Sequence, residues 1–231
     1  MSYPINYPTP QGANIQIFQG GDPQSVGHLY EKTWVKPQGA SFVWFTLIGA
    51  GGGCDNAGSS FVGGGSGAVT NFMCPAFLIP DSLVISVGVG GIASTNGTGS
   101  QIFYQQKIGT GYTLLTANGG THGGAGGGGG TAMTANGFSA MGFFQSVAGQ
   151  VGSSVEQSAS ATTFLSGGSY NNGVIGNYGY TNAGAGSFRT QPIIVGTGGG
   201  IAGSGNGGTG CGGGGTSSGT GGAGLVVIVT W

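Results

Sequence analysis

The sequence predicts an all-β protein, a jelly-roll-like β-sandwich in which glycine-rich tracts of the polyglycine II type pack together and carry long loops. Two observations lead to this fold class. The run SFVWFTLIGA at 41–50 is apolar on both faces of a strand and leads into glycine, and the equally apolar LVVIVTW at 225–231 directly follows a glycine tract. Because β-branched and aromatic residues favour a packed, pleated surface, we expect the glycine beside these strands to be ordered.

The low charge of the chain excludes nucleic acid as a partner. Only 4% of the 231 residues are charged and the formal net charge is −1, whereas nucleic-acid binding needs a basic face that displaces counterions. The basic residues are few and scattered: Lys32, Lys36, Lys107 and Arg189. A chain that is 38% hydrophobic and nearly neutral also lacks the composition of a disordered protein.

From the sequence we expect neither a membrane-spanning helix nor a secretion signal. No apolar run reaches the roughly 18 residues of a transmembrane helix, and the first residues lack the basic start and apolar centre of a signal peptide. We therefore expect no membrane insertion.

Glycine, at 58 of 231 residues, is the main obstacle to a stable fold. Each ordered glycine costs roughly 0.5–1 kcal/mol relative to alanine. The cost can be offset by complete pairing of backbone N–H and C=O groups, or by burial against copies of the same chain.

Residues 1–33 form a predicted extended arm that precedes a domain at 34–231. The arm holds one strand, NIQIF at Asn14–Phe18, and few glycines. It is expected to attach the protein to a partner or to a neighbouring subunit through its first aromatic and proline residues: Tyr3, Pro4, Tyr7 and Pro8.

Within residues 34–231, short apolar runs bounded by Gly, Pro-Asp and Asn-Gly turns predict strands. The runs are Ser41–Ile48, Gly67–Cys74, Ser82–Val89, Gln101–Gln105, Tyr112–Thr116 and Leu225–Trp231. We expect Ser41–Ile48 to pair with Leu225–Trp231. A short helix is predicted within Gln145–Ala161, although two glycines weaken it, and the rest of 132–192 is predicted to form long loops.

The glycine tracts, such as GGTHGGAGGGGG at 119–130, are predicted to adopt three-residue-per-turn helices like polyproline II. Such helices have no internal hydrogen bonds, but without side chains several can pack together and bond laterally. The alternative is a flexible linker. The absence of a strict Gly-x-y period excludes collagen.

No motif points to catalysis, and we expect no enzyme activity, no cofactor and no metal site. GxGxxG recurs from composition alone, with no helix or acidic residue at the spacing that a dinucleotide site requires. Both histidines, His28 and His122, lack a carboxylate or cysteine at motif spacing. The three cysteines Cys54, Cys74 and Cys211 form no CxxC pair; they are interpreted as small buried thiols, with a disulfide between two of them as the alternative.

Several segments resemble the glycine-rich domain at the ends of bacteriophage tail-fibre and other virion proteins. YEKTWVKPQGASFVWFTLIGAGGG at 30–53 is similar to the entry of that domain, and the terminal GGAGLVVIVTW at 221–231 is similar to its end. The resemblance implies a virion surface protein, extracellular and trimeric, whose rigid glycine scaffold presents loops. Two functions remain open: a fibre or spike tip that binds a receptor, and a purely structural subunit of a capsid, spike or filament.

The candidate receptor-binding residues lie in the loop region richest in aromatics. They are Tyr170, Tyr178, Tyr180, Phe188 and Arg189. Tyrosines among Asn, Ser and Gly are typical of binding loops, where rigid rings supply contact area and small polar residues adapt. A host surface glycan or a membrane-protein loop would suit these residues equally, and the alternative is that the rings pack over the glycine scaffold as a substitute core.

Overall fold

The computed structural model describes residues 12–20, 30–55, 63–104, 111–125, 127–152, 206–213 and 219–231. Within these residues the protein is all-β, as predicted, and its helical elements are the short 3-10 turns Ala76–Leu78, Gly123–Ala125 and Ser139–Met141. The strands are β1 (Asn14–Gln19), β2 (Tyr30–Val35), β3 (Phe42–Ile48), β4 (Val69–Pro75), β5 (Ser82–Val87), β6 (Ser100–Tyr104), β7 (Tyr112–Ala117), β8 (Phe143–Val147) and β9 (Leu225–Thr230).

The strands form two antiparallel sheets, which confirms the predicted sandwich. The first sheet has the order β1-β9-β3-β4-β8, and the second is the meander-like β2-β5-β6-β7. β9 is an inner strand, because Ile228 lies opposite Gln16 of β1 on one side and opposite Phe45 of β3 on the other. The predicted pairing of the first long apolar strand with the C-terminal strand is therefore confirmed.

Strand β2 is not predicted by the sequence pattern. It pairs with β5 at the edge of the second sheet, with Trp34 opposite Leu83. Glu31 and Lys32 are consecutive and both exposed. The start of β2 therefore lacks the alternation of apolar and polar residues that indicates a half-buried strand. The predicted boundary between arm and domain, at 33/34, falls inside this strand.

The prediction of a helix within 145–161 is wrong for its first residues. Residues 143–147 are extended and form β8, with Gln145 opposite Asn71 of β4. The open edge of β4 supplies hydrogen-bond partners that a short, glycine-interrupted helix cannot match, so tertiary pairing overrides a weak local preference. Residues 153–161 lie outside the described part of the chain.

The main core lies between the two sheets and is built on aromatic side chains. The ring centroids of Trp34 and Phe45 are 5.9 Å apart in an edge-to-face arrangement, and those of Phe45 and Phe72 are 6.5 Å apart and nearly parallel. Aromatic pairs of this kind contribute about 0.5–1.5 kcal/mol beyond their buried area. Buried aliphatic residues of the second sheet complete this core: Leu83, Ile85, Ile102 and Leu115.

The outward face of strand β9 is also buried within a single chain. Val227 and Val229 alternate with core residues along β9 and face outward, yet they are only 3% and 4% exposed. They belong to a second apolar cluster against which Ile15 and Trp44 pack. The outward side chains of β9 are therefore covered without a second copy of the chain.

The described glycine tracts lie beyond one end of the sandwich, which we call the bundle end. β3 leads into glycine at Gly49, β5 leads into it at Gly88, and β9 begins directly after Gly224. The opposite end, where β3 and β7 begin and β4 and β6 end, is called the base end. Asn14 at the start of β1 lies opposite Thr230, so the beginning of β1 and the residue that follows β9, Trp231, are both at the base end.

Candidate functional site: the glycine bundle and its distal end

The central tract of the bundle is residues 49–54, which continue strand β3. Their N–H groups donate, in chain order, to the C=O groups of Ala68, Thr98, Gly222, Gly65, Thr95 and Gly219, at 2.9–3.1 Å. The acceptors thus alternate among three neighbouring segments, 63–68, 95–98 and 219–224, and each segment recurs after three residues. A repeat of three residues with no internal hydrogen bond is the geometry of the polyproline II helix, as the sequence predicts.

The C=O groups of the central tract bond to three further segments. Ala50 and Gly53 accept from Gly120 and Gly123, while Gly51 accepts from Gly91 and Gly52 from Gly213, at 2.9–3.0 Å. The central tract is therefore surrounded by six segments, three reached by its N–H groups and three by its C=O groups. Buried backbone groups that are paired in this way avoid the cost of unsatisfied donors and acceptors.

The same three-residue repeat governs the neighbouring tract at 63–68. The N–H groups of residues 64–68 donate, in order, to the C=O groups of Gly213, Thr121, Gln150, Gly210 and Asn118, at 2.8–2.9 Å. Further out, Gly149 and Gly152 donate to Gly130 and Gly127. The bundle is thus one continuous lateral hydrogen-bond network, and the flexible-linker alternative is wrong for the described tracts.

Glycine is required in the bundle because no space exists for a side chain. A methyl group at Gly51 would overlap the C=O of Cys211, and one at Gly52 would overlap the C=O of Thr121. Neither glycine has φ in the left-handed region, since in the described tracts only Gly127 and Gly210 do. The glycine residues therefore allow the backbones of neighbouring tracts to approach each other closely. This close approach brings their N–H and C=O groups within hydrogen-bonding distance.

All three cysteines are buried and none of them is in a disulfide, so the preferred interpretation is confirmed and the disulfide alternative is wrong. Cys54 and Cys211 lie in the bundle, and Cys74 lies in β4 with its side chain in the main core. Burial raises the pKa of the Cys74 thiol to about 11. A thiol with this pKa is almost entirely protonated at neutral pH and is a poor nucleophile.

The distal end of the bundle, away from the sandwich, carries the polar side chains of Asp55, Asn96 and His122. The His122 backbone N–H donates to Asn96 Oδ1 at 2.9 Å. Asp55 Oδ1 and His122 Cε1 each lie 3.0 Å from the position that a methyl group on Gly124 would occupy, so three separate segments meet here. Among the described residues no group of three His, Cys, Asp or Glu is placed to bind a metal ion.

The sequence-predicted binding residues lie outside the described part of the chain. This holds for Tyr170, Tyr178, Tyr180, Phe188 and Arg189 of the loop region. It also holds for the arm residues Tyr3, Pro4, Tyr7 and Pro8.

The described residues that flank 153–205 are both at the distal end of the bundle. Gly152 donates its N–H to Gly127, and Asn206 accepts through Oδ1 from the N–H of Thr220 at 3.3 Å. The adjacent Gly219 accepts from Cys54, the last residue of the central tract. The two described residues that flank 153–205 therefore lie at the end of the bundle away from the start of β1 and from Trp231.

The fold and the bundle together define the class of protein: an all-β sandwich extended at one end by laterally bonded polyglycine helices. The chain belongs to the glycine-rich domain family, whose sequence profile matches residues 25–231. No curated protein matches the chain. In the part of the chain that the structure describes, no helix is long and apolar enough to cross a membrane.

Proposed function

We propose that this protein is a structural protein of a bacteriophage virion surface, placed at a fibre or spike tip, where it binds a host receptor. The observation that supports this proposal is that different parts of the chain lie at the two ends of the molecule. The start of β1 and Trp231 lie at the base end, whereas the flanks of 153–205 lie at the distal end of the bundle. Attachment and recognition would then occupy opposite ends of a stiff, hydrogen-bonded spacer.

The bundle itself offers little chemistry for recognition, because glycine presents no side chain. Specificity would come from the segments that the bundle holds at its distal end, and 153–205 carries the aromatic residues and the only arginine of the chain. Tyrosine rings can stack on a sugar or contact a loop of a membrane protein. The ligand in this proposal is a host surface glycan or membrane protein.

The remaining parts of the proposal concern assembly. The N-terminal arm would contact other virion proteins, and the protein would form a homo-oligomer, with a trimer as the state that the resemblance implies. The protein would act by binding and by stiffness, without catalysis.

The second candidate is a purely structural subunit of a capsid, spike or extracellular filament without receptor binding. It is favoured by the continuous lateral hydrogen bonding of the tracts, which provides stiffness whatever the loops do. The two candidates differ in what the tyrosines of 153–205 contribute.

Replacing Tyr178 and Tyr180 together with alanine separates the two candidates. If these rings bind a receptor, the variant should lose most of its binding to host cells, about tenfold or more, while its melting temperature stays that of the parent protein. Cell binding is measured by titrating labelled protein, and stability by thermal unfolding.

The control is Ile17→Ala, since Ile17 is an exposed apolar residue of β1, opposite Val227 in the sandwich and not in the bundle. Its cell binding should equal that of the parent. A lower melting temperature for the tyrosine variant would support the structural candidate. If neither binding nor stability changes, the assignment of these tyrosines is wrong.

A further inference from the structure

Strand β1 lies at an edge of the first sheet, and among the described residues it pairs only with β9. The direction of its backbone groups follows from the neighbouring strands. Phe42 of β3 and Trp231 exchange both backbone hydrogen bonds, at 3.0 and 3.3 Å. In an antiparallel sheet such pairs recur at every second residue, so the backbone groups of Val229 and Val227 also point to β3, and those of Ile228 between them point to β1.

Every second residue of β1 therefore turns its backbone groups away from the sheet. Ile228 lies opposite Gln16, and the N–H of Gly20 donates to the C=O of Gly224 at 3.2 Å, so the even-numbered residues of β1 bond to β9. The N–H and C=O groups of the alternate residues point to the open edge. These residues are Ile15, Ile17 and Gln19.

Two other edge strands of the described sheets, β2 and β7, carry features that hinder pairing with a further strand. β2 has the consecutive exposed charges of Glu31 and Lys32. β7 contains an extra residue, Leu114, between the partners of Ile102 and Phe103. Charged side chains and bulges are devices by which proteins protect the edges of their sheets.

The edges of β7 and β8 are also bridged by the segment that contains Met133. Thr116 of β7 donates its N–H to the sulfur of Met133 at 3.3 Å, and the N–H of Met133 donates to Ser146 Oγ of β8 at 2.8 Å. Nearby, Asn136 Nδ2 donates to the C=O of Leu114 at 3.1 Å. This segment therefore occupies hydrogen-bonding groups that a foreign strand would need.

β1 has none of these features. Its sequence, NIQIFQ, contains no charge and no proline, and its pairing with β9 has no bulge. Its central apolar residue, Ile17, is 54% exposed. An unprotected edge of this kind is a template on which another strand can pair.

The open groups of β1 match those of a second β1 strand. When two copies run antiparallel with Ile17 opposite Ile17, Ile15 of each copy lies opposite Gln19 of the other. All the outward N–H and C=O groups of these residues are then paired, in about six hydrogen bonds. The exposed isoleucine side chains meet across the strands, and no like charges face each other.

We propose that two copies of this chain pair through their β1 strands, with Ile17 at the two-fold axis, so that their first sheets join into one. The partner is a second copy because the open groups are symmetric about Ile17 and because an uncharged strand meets itself without repulsion. A two-fold contact gives a dimer, or a hexamer if the copies also form trimers.

This inference goes beyond the proposed function and uses none of the receptor-binding residues. The contact is made by backbone groups, which Ile17→Ala retains, so that variant stays a control for cell binding. Cell binding by the tyrosine variant is scored separately. A failure of either proposal therefore leaves the other standing.

The test compares Ile17→Lys with Phe143→Lys by sedimentation equilibrium of the full chain. Ile17 and Phe143 are 54% and 59% exposed, and they belong to the two edge strands of the first sheet, β1 and β8. The parent and Phe143→Lys should have an even multiple of the 22.4 kDa mass of the chain. Ile17→Lys should have half the mass of the parent, because two lysines would lie directly opposite each other.

Amide hydrogen exchange identifies the contact itself. The amides of Ile15 and Gln19 should exchange at least about tenfold more slowly in the parent than in Ile17→Lys. The amides of Gln16 and Phe18 bond to β9 and should be protected in both. Thermal unfolding verifies that each variant is folded. If lysine prevents folding, Ile17→Pro is measured in its place, since proline there removes only an N–H that points to the open edge.

A parent protein that is a monomer or a trimer at about 100 μM, far above the dissociation constants of specific complexes, would overturn the proposal. So would a folded Ile17→Lys variant with the mass of the parent. Dissociation of Phe143→Lys to the same extent would also overturn it, by assigning the contact to another surface of the sheet. Protected amides of Ile15 and Gln19 in a monomer would mean that the edge is covered within one chain.

Discussion

A chain that ends at Gly224, and so lacks strand β9, should accumulate as insoluble protein. β9 bonds to β1 on one side and to β3 on the other, and all six of its residues are buried. Burying each of its five aliphatic side chains contributes roughly 1.5–3 kcal/mol, so about 10 kcal/mol is lost, which is comparable with the whole stability of a typical domain. Soluble yield and circular dichroism measure the outcome.

The matched control is a chain without residues 1–11, which precede β1 and should remain soluble and folded. Both truncations remove a terminal segment, but only one removes an inner strand. A soluble, cooperatively unfolding chain without β9 would contradict the position of that strand between β1 and β3.

A single methyl group at the centre of the bundle should also be strongly destabilising. In Gly51→Ala the added carbon would overlap the C=O of Cys211, and moving the tracts apart would weaken the bonds from Gly51 to Gly222 and from Gly91 to Gly51. Overpacking costs about 1–3 kcal/mol and each weakened hydrogen bond about 1 kcal/mol. The expected loss is about 3–5 kcal/mol, measured by urea unfolding.

Gly137→Ala is the control for this substitution. A methyl group at Gly137 meets no atom within 4 Å, and the φ of Gly137 is not in the left-handed region. Its stability should stay within about 0.5 kcal/mol of the parent, or rise slightly because alanine restricts the unfolded chain. Equal stability of the two variants would mean that the tracts are not closely packed.

The sequence was most informative where a strand is apolar on both faces. β3 and β9 share this pattern and both adjoin glycine, so their pairing could be predicted. β2 could not, because an edge strand leaves Glu31 and Lys32 exposed and so lacks a clear alternation. β8 depends on the free edge of β4, which is a tertiary feature that local propensity does not contain.

The conformation of the glycine tracts could be predicted from the sequence, but the arrangement of the tracts in the bundle could not. Glycine tracts beside apolar strands predict laterally packed helices, yet which tract bonds to which depends on where each strand leaves the sandwich. Non-glycine residues such as Ala50 and Ser66 occupy positions in the tracts and remove any strict sequence period.

Amide hydrogen exchange of the glycine tracts tests the central claim most directly, because it reports whether their N–H groups are bonded. If residues 49–54 and 64–68 bond laterally as described, their amides should exchange as slowly as those of β3 and β9. Opening free energies of about 4 kcal/mol or more correspond to protection of at least about a thousandfold. Exchange of these glycine amides at the rate of an unstructured chain, while β3 and β9 stay protected, would contradict the account.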